Sequence, residues 1–221
     1  EGKAGVDSLV GGDGNDSFVY DSSAADATGV GETIAGGNNT DRIVVAGGTT
    51  AIDFSDDSIS DIETLELTED VAGVANTQDQ SLTMTDAQID GLSTINANGG
   101  DNITVSDTMT SDMLDGTVMN GTLELDLTNQ GSASQALTLV DGTLDDTDLL
   151  KVDGSALTTD TLTFNGSAET NGEVSVTGGA SNDSLVGGGG DDTISGLGGN
   201  DTIEGKAGVD SLVGGDGNDS F

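Results

Sequence analysis

The C-terminal part of the chain repeats a nine-residue pattern without interruption. From Gly178 onward it reads GGASNDSLV, GGGGDDTIS, GLGGNDTIE, GKAGVDSLV and GGDGNDSF, five consecutive segments of the form G-G-x-G-x-D-x-apolar-x. Two more copies occupy residues 2–10 and 11–19, and an isolated copy, GGNNTDRIV, occupies residues 36–44. An apolar residue at every ninth position predicts stacked short strands, because a flexible glycine-rich linker has no need of such a residue.

These nonapeptides resemble the RTX (repeats-in-toxin) calcium-binding repeat. The resemblance implies an all-β fold, a right-handed parallel β-roll or β-solenoid in which two nonapeptides form one coil and Ca²⁺ lies between successive turns. Glycine permits the tight turns, and Asp supplies the carboxylate oxygens that calcium prefers. The expected calcium ligands are the turn aspartates Asp7, Asp16, Asp41, Asp183, Asp192, Asp201, Asp210 and Asp219, with the first glycines Gly178, Gly187, Gly196, Gly205 and Gly214.

With two nonapeptides in each coil, turns on the same edge are expected 18 residues apart. Asp183, Asp201 and Asp219 should then line one edge, and Asp192 and Asp210 the other. The apolar residue two positions after each Asp should point into the core. These expected core residues are Leu185, Ile194, Ile203, Leu212 and Phe221.

Residues 204–221 repeat residues 1–18 without a change, at an offset of 203 residues. The identity includes Lys3 and Ala4, which the nonapeptide pattern does not require. The simplest explanation is a tandem unit of 203 residues, of which this sequence shows one copy and the start of the next. Because there is also no initiator Met, we expect the sequence to be a section of a longer repetitive polypeptide.

The composition limits the possible partners and chemistry. The 41 acidic and 4 basic residues give a formal net charge of −37, which repels nucleic acid and anionic membranes and opposes compaction without cations. The acidic surface of a halophilic protein is a competing explanation of this charge. His and Cys are absent, which excludes disulfides, His-based triads and zinc sites from this section. Aromatic residues make up only 2% of the chain, as a thin solenoid core allows, and no apolar run approaches the roughly 20 residues that cross a bilayer.

Between the nonapeptide regions the pattern is less regular. We divide the chain into RTX nonapeptides at 1–19, an irregular β-solenoid at 20–177 and an RTX β-roll at 178–221. Two short segments, Thr85–Gln88 with a capping box and Ser111–Gly116, look helical. The alternative for the middle region is an immunoglobulin-like sandwich. The expected strands there are Arg42–Ala46, Thr64–Leu67, Ser81–Met84, Asn102–Val105, Thr122–Leu127, Ala136–Val140, Thr161–Phe164 and Glu173–Thr177.

The sequence favours a structural role over catalysis. Acidic pairs such as Asp56 and Asp61 are too common in this chain to indicate a glycosidase, and we expect no enzyme activity. The expected function is a calcium-stabilised repeat of a long secreted, extracellular or cell-surface fibre, surface layer or matrix protein, with neighbouring units and like fibres as its partners. Two alternatives are a calcium-dependent adhesin module that binds a glycan, a cell surface or ice, and an accessory region of a secreted RTX enzyme.

Overall fold

The computed structural model describes residues 6–21, 31–46, 51–67, 80–97, 100–114, 116–131 and 133–221. Within these ranges the chain forms short β-strands and one helix, α1 (Asp86–Asp90). The strands are β1 (Ser8–Asp13), β2 (Ser17–Asp21), β3 (Thr33–Asn38), β4 (Arg42–Ala46), β5 (Ile52–Asp53), β6 (Ser58–Ser60), β7 (Thr64–Glu66), β8 (Ser81–Met84), β9 (Thr94–Ala97), β10 (Asn102–Val105), β11 (Val118–Leu127), β12 (Ser134–Thr138), β13 (Leu149–Asp153), β14 (Thr161–Asn165), β15 (Glu173–Thr177), β16 (Ser184–Val186), β17 (Thr193–Gly198), β18 (Thr202–Glu204) and β19 (Ser211–Asp216).

The strand ladders of the described residues are all parallel. The largest sheet has the order β19-β17-β15-β13-β11-β9-β7-β4-β2, with β10, β8 and β5 beside this path. Two smaller sheets have the orders β1-β3-β6 and β12-β14-β16-β18. Apart from β10 with β11, the described strands pair with strands further along the chain rather than with their immediate successors, which is the arrangement of a β-solenoid. The all-β parallel solenoid is confirmed, and the sandwich alternative is wrong because immunoglobulin-like sheets are antiparallel.

The length of one coil differs along the molecule. In the C-terminal region Ser184 pairs with Thr202, a step of 18 residues. At the N-terminal end Ser8 pairs with Thr33, a step of 25 residues. In the middle the step is larger still in places, since Thr64 pairs with Thr94. Of these coils, only those of the consecutive C-terminal nonapeptides have the 18-residue period that the sequence predicts.

The core consists of columns of apolar side chains that stack from coil to coil. Leu137, Phe164, Leu185 and Ile203 are successive partners across β12, β14, β16 and β18, and each is at most 1% exposed. Burial of Leu185, Ile194 and Ile203 is as predicted, and Leu212 is partly buried against the same core. The buried methionines Met84, Met109, Met113 and Met119 fill the core of the middle coils.

The prediction for Phe221 is wrong. Phe221 is 69% exposed. It follows the last bridge of this edge, Thr202 with Ser220, and no later strand of the described chain covers it.

The middle region confirms most of the expected strands and one of the two helices. Thr85 caps α1 and forms a capping box with Gln88, as predicted. Residues 111–114 form turns rather than a helix, and Asp115 of that expected helix lies outside the described residues. Five strands of this region, β3, β5, β6, β9 and β13, were not predicted. β12 begins two residues before its expected start. No helix in the described ranges has the length and apolar character to cross a membrane.

Candidate metal centre

In each nonapeptide turn whose first glycine the structure describes, the carboxylate of the turn's Asp lies against that glycine. At Gly196 a Cβ atom would lie under 3.0 Å from both Asp201 Oδ2 and the carbonyl oxygen of Gly214, the first glycine of the next coil on that edge. A side chain would occupy the space beside these two oxygens, so glycine is required here. The same pair of oxygens, from an Asp of the turn and a glycine of the next coil, flanks Gly11, Gly178 and Gly187.

The turn aspartates stack along two edges of the C-terminal coils. The Asp183 N–H donates to Asp201 Oδ1 at 2.8 Å, and the Asp201 N–H donates to Asp219 Oδ1 at 3.0 Å. On the other edge the Asp192 N–H donates to Asp210 Oδ1 at 3.1 Å. Each of these partners is 18 residues away, so the structure brings the five aspartates together in the expected rows.

The nonapeptide at 36–44 is not isolated in the fold. The Asp16 N–H donates to Asp41 Oδ1 at 2.6 Å across a step of 25 residues, and Asp41 is fully buried. The Asp41 N–H in turn donates to Glu63 Oε2 at 2.7 Å, so the row continues with a glutamate that the sequence pattern does not reveal. Asp7 lies in the same coil as Asp16, and its turn begins at residues 2–5, outside the described part of the chain.

The nonapeptide turns have two conformations, and we call one of them closed. In the closed turns the N–H of the second residue donates to Oδ2 of the turn's Asp. Gly179 donates to Asp183, and Gly188 donates to Asp192, both at 2.7 Å. Since Oδ1 of each Asp also accepts a backbone N–H, from Leu162 or Val174, both carboxylate oxygens are already hydrogen-bonded.

We call the other conformation open, because its second residue has a positive φ and its Asp is not bonded in this way. Leu197 has φ 69°, and Oδ2 of Asp201 is buried without a hydrogen-bond partner. Gly12 and Gly37 have φ 103° and 111°, and Oδ2 of Asp16 and of Asp41 is likewise buried and unpaired. Lys206 and Gly215 share the positive φ in the turns of Asp210 and Asp219, and Oδ2 of Asp7 is also buried and unpaired.

Burial and charge repulsion disfavour the ionised form of three turn aspartates. Burial raises the pKa of the Asp201 carboxyl above its usual value. The hydrogen bond from the Asp183 N–H lowers this pKa, and the Asp219 carboxylate one coil away raises it. The pKa values of Asp183 and Asp192 are raised in the same way, with burial as the largest cause. A bound cation would remove this penalty by neutralising the neighbouring carboxylates.

The open turns fit a calcium ion. A buried carboxylate oxygen without a donor, close to a backbone carbonyl oxygen, has the hard oxygen ligands that Ca²⁺ binds. Leaving such an oxygen unpaired and buried would otherwise be costly. The residues suited to hold calcium are therefore the Asp of each open turn and the glycine carbonyls beside it.

The middle coils carry buried carboxylates that the sequence analysis did not single out. Asp160 is fully buried and accepts hydrogen bonds from the backbone N–H groups of Gln130 and Ala133, one at each carboxylate oxygen. Asp148 and Glu169 are also buried with backbone N–H donors at both oxygens. These acids belong to no repeated motif, so nothing in a single sequence separates them from the many exposed ones.

Another acidic group lies on the surface of the large sheet. The carboxylates of Glu124, Asp126 and Asp153 lie within 4.8 Å of one another and are partly buried. Lys151 lies 3.7 Å from Glu124, and Asn102 donates to Asp126 Oδ2 at 2.7 Å. The pKa of Asp126 is raised, first by burial and then by Glu124 and Asp153. The group is a site of like-charge repulsion between neighbouring strands.

Fold and turns together define a β-solenoid with the geometry of a calcium-binding repeat. The sequence profile of the RTX calcium-binding nonapeptide repeat matches residues 1–22, 175–203 and 195–221. The chain therefore carries RTX calcium-binding repeats at both ends of the sequence. Comparison with curated protein sequences and with solved structures gives no significant match.

Proposed function

We propose that the chain is a calcium-stabilised structural repeat of a long secreted fibre, surface layer or matrix protein. The observation that supports this most concerns the two identical 18-residue segments, each of which pairs with a different neighbouring strand. The sequence SLVGGD forms β1, which pairs with the later strand β3, and also β19, which pairs with the earlier strand β17. In a tandem protein one such segment would pair on both edges, and the solenoid would continue from one unit into the next.

Calcium-gated folding is the mechanism that we propose for this repeat. A chain of net charge −37 with a thin core is disfavoured as a compact state when calcium is scarce, as it is inside a cell. Outside the cell, calcium would occupy the open turns and offset the repulsion between stacked aspartates. At free calcium 100 times Kd, each independent site stabilises the fold by about 2.7 kcal/mol.

The proposal includes secretion and excludes catalysis. Stabilisation by calcium rather than by disulfides suits a protein that folds after export, and the chain has no Cys. It also has no His, which removes the commonest general base. The acidic surface argues against nucleic acid as a partner.

Circular dichroism during a calcium titration tests the proposed folding mechanism. The β-sheet signal should be weak in chelator and should rise with calcium, with a midpoint of about 10⁻⁴–10⁻³ M as in extracellular calcium modules. Magnesium should be a poor substitute, because it demands a smaller and more rigid shell of ligands. A spectrum that does not change between chelator and saturating calcium would refute calcium-gated folding.

Small-angle scattering on a protein of two full units tests the fibre. A continuous solenoid predicts a straight particle in calcium. A broad distribution of angles between the units would show that they are joined as separate beads.

A further inference from the structure

We propose that Asp41 and Asp61 form a further calcium site, in which a turn outside the nonapeptide repeats replaces one of the two glycine-rich turns. This inference rests on the proposed calcium binding and extends it to a coil that has no nonapeptide. Residues 36–41 supply the first half of the site, and residues 61–63 supply the second half. Neither half lies within the residues that match the RTX profile.

Two oxygen atoms of this site lie beside the same glycine. A Cβ atom at Gly36 would lie under 3.0 Å from both Asp41 Oδ2 and the carbonyl oxygen of Asp61. The same kind of pair, a turn carboxylate and a carbonyl oxygen from the next coil, flanks Gly196 in the C-terminal nonapeptides. Asp61 therefore has the position that the first glycine has in a repeated turn.

The carboxylate of Asp41 is the group that most needs a partner here. Asp41 is 0% exposed, and its Oδ1 accepts the Asp16 N–H at 2.6 Å, whereas its Oδ2 is buried without a hydrogen-bond partner. Burying a carboxylate oxygen in this way is costly unless a donor or a cation satisfies it. The carbonyl oxygen of Asp61 is also an acceptor, so the two oxygens cannot bond to each other, but one cation can bind both.

The backbone of Asp61 has an unusual conformation. Its φ is 55°, in the left-handed region that is unfavourable for residues with a Cβ atom, although Asp visits it more readily than most. Such conformations are concentrated at functional sites, where the surrounding structure maintains them. In this turn the conformation falls at the residue whose carbonyl oxygen lies beside Gly36 and Asp41. It therefore points to the same pair of oxygens as the unpaired carboxylate does.

The turn at residues 61–63 is short but continues the row of carboxylates. The step from Asp41 to Glu63 is 22 residues, compared with 25 residues from Asp16 to Asp41. The Glu side chain is one methylene group longer than that of Asp, and Oε2 of Glu63 accepts the Asp41 N–H at 2.7 Å. Ile62, between the two acids, is buried in the core and anchors the turn. Three residues thus provide the acceptor and the carbonyl that a longer nonapeptide turn provides elsewhere.

The charge around the site favours a divalent cation. Asp16, Asp41 and Glu63 stack on successive coils, and Asp61 is an exposed acid in the same turn as Glu63. A cation between Asp41 and Asp61 would offset the repulsion among these carboxylates. Carboxylate and carbonyl oxygens are ligands of Ca²⁺, whereas Mg²⁺ demands a smaller and more rigid shell. Calcium at this position would hold β4 against β7 and so connect the nonapeptide turns to the irregular solenoid.

Asp41→Asn tests the site in the full chain. The amide keeps an oxygen that can accept the Asp16 N–H, and its N–H₂ can donate to the Asp61 carbonyl, so the variant should fold in saturating calcium with an unchanged circular dichroism spectrum. Hydrogen exchange with mass spectrometry during a calcium titration measures the local response. The calcium concentration that gives half of the protection over β4 and β7 should rise about tenfold, as expected for the loss of one charged ligand. Asp56→Asn, at an exposed position, is the matched control and should leave this midpoint unchanged.

Asp61→Asn tests whether the second ligand is the carbonyl oxygen rather than the side chain. Asn also tolerates a positive φ, so this variant should keep the carbonyl in place and retain the calcium response of β4 and β7. The proposal is overturned if Asp41→Asn leaves the midpoint of these strands unchanged. It is also overturned if Asp61→Asn raises the midpoint as much as Asp41→Asn does, since the carboxylate of Asp61 would then be the ligand.

Asp201→Asn separates this inference from the proposed function. If Asp201→Asn raises the calcium midpoint over β17 to β19 while Asp41→Asn has no effect on β4 and β7, only the site at Asp41 and Asp61 is refuted. If the protection of the unmodified chain does not respond to calcium in any strand, the proposed function fails together with this inference.

Discussion

In residues 175–221 and in residues 100–170, side-chain oxygens accept hydrogen bonds from backbone N–H groups at the corners of the coils. The two regions differ in whether both oxygens of a carboxylate are hydrogen-bonded. In the C-terminal coils the open turn of Asp201 has one oxygen bonded to the Asp183 N–H and the other buried and unpaired. In the middle coils Asp160 has N–H donors at both oxygens. The first arrangement leaves an oxygen free to bind a cation, whereas in the second both oxygens have donors within the protein. Under the calcium binding proposed above, one solenoid combines calcium-dependent and calcium-independent coils.

Removing calcium should separate the two regions most strongly. In chelator we expect amide protection over β17 to β19 to fall by at least about 100-fold, the population change that corresponds to one saturated site. Protection over β12 and β14, whose core residues Leu137 and Phe164 are fully buried, should fall much less. Hydrogen exchange with mass spectrometry measures both regions in one sample. Equal loss in both regions would show that the coils unfold as a single unit and that the distinction has no energetic meaning.

Asp160→Asn should destabilise the middle region whether or not calcium is present. The amide group would place an N–H₂ against a backbone donor, Gln130 or Ala133, and leave buried groups unsatisfied. The expected cost is about 2–3 kcal/mol. Urea unfolding in saturating calcium measures it, with Asp146→Asn at an exposed position as the matched control. A variant as stable as the control would contradict the role assigned to Asp160.

Asp201→Asn should weaken calcium binding, whereas Asp192→Asn should leave it nearly unchanged. Asp201 belongs to an open turn, and Asp192 to a closed turn in which Gly188 already bonds the second oxygen. Loss of one charged ligand should reduce the affinity of its site about tenfold, which is about 1.4 kcal/mol. Isothermal titration with calcium compares the two variants, with Asp216→Asn as a control. If the two variants weaken binding equally, open and closed turns do not differ in calcium binding.

Leu197→Gly should stabilise the C-terminal coils. Leu197 holds φ 69°, a conformation that costs a residue with a Cβ atom about 1–2 kcal/mol, and its side chain is 41% exposed. Glycine also loses more conformational entropy on folding than leucine does, which offsets part of this gain. The net increase in the free energy of unfolding should be about 0.5–1 kcal/mol. Thermal unfolding in calcium measures this, and Val213→Gly, at an exposed position of the neighbouring strand, should show no gain. Destabilisation by Leu197→Gly would mean that its contacts outweigh the backbone strain.

Asp126→Asn should have the smallest effect, a stabilisation of up to about 1 kcal/mol at neutral pH, because it removes like-charge repulsion between neighbouring strands. The pKa of Asp126 is raised in the fold, so the folded state binds more protons than the unfolded state between that raised pKa and the usual value of 3.8. Stability contributed by this group should therefore increase as pH falls through the folded pKa and level off below 3.8. Urea midpoints across this range should show a flatter pH dependence in the variant. An unchanged slope would assign the pH dependence to other carboxyls.

Much of the C-terminal region could be predicted from the sequence because its period is short and exact. Nine-residue spacing specifies which aspartates share an edge and that Leu185, Ile194 and Ile203 point inward, as the structure shows. The same reasoning failed at Phe221, where the pattern holds but no further strand provides a neighbour. Periodicity predicts orientation, whereas burial requires a partner.

The details that distinguish individual sites were decided by the tertiary structure. Asp41 looked isolated in the sequence but stacks on Asp16, because a 25-residue coil brings the two turns together. Asp183 and Asp201 have the same position in the nonapeptide, yet only Asp201 lies in an open turn, since that depends on the backbone conformation of the turn's second residue.

The sequence by itself therefore determined the repeating unit of this protein: its stacked short strands, the glycines beside each carboxylate and its suitability for calcium. The tertiary structure set the length of each irregular coil. It also set which acid, Glu63, continues a row of turn carboxylates and which, such as Asp160, bond backbone N–H groups elsewhere. The physical reason is that lengthening a surface loop costs little free energy. Coil length is therefore set not by local sequence but by which strands pack their apolar side chains together across the whole solenoid.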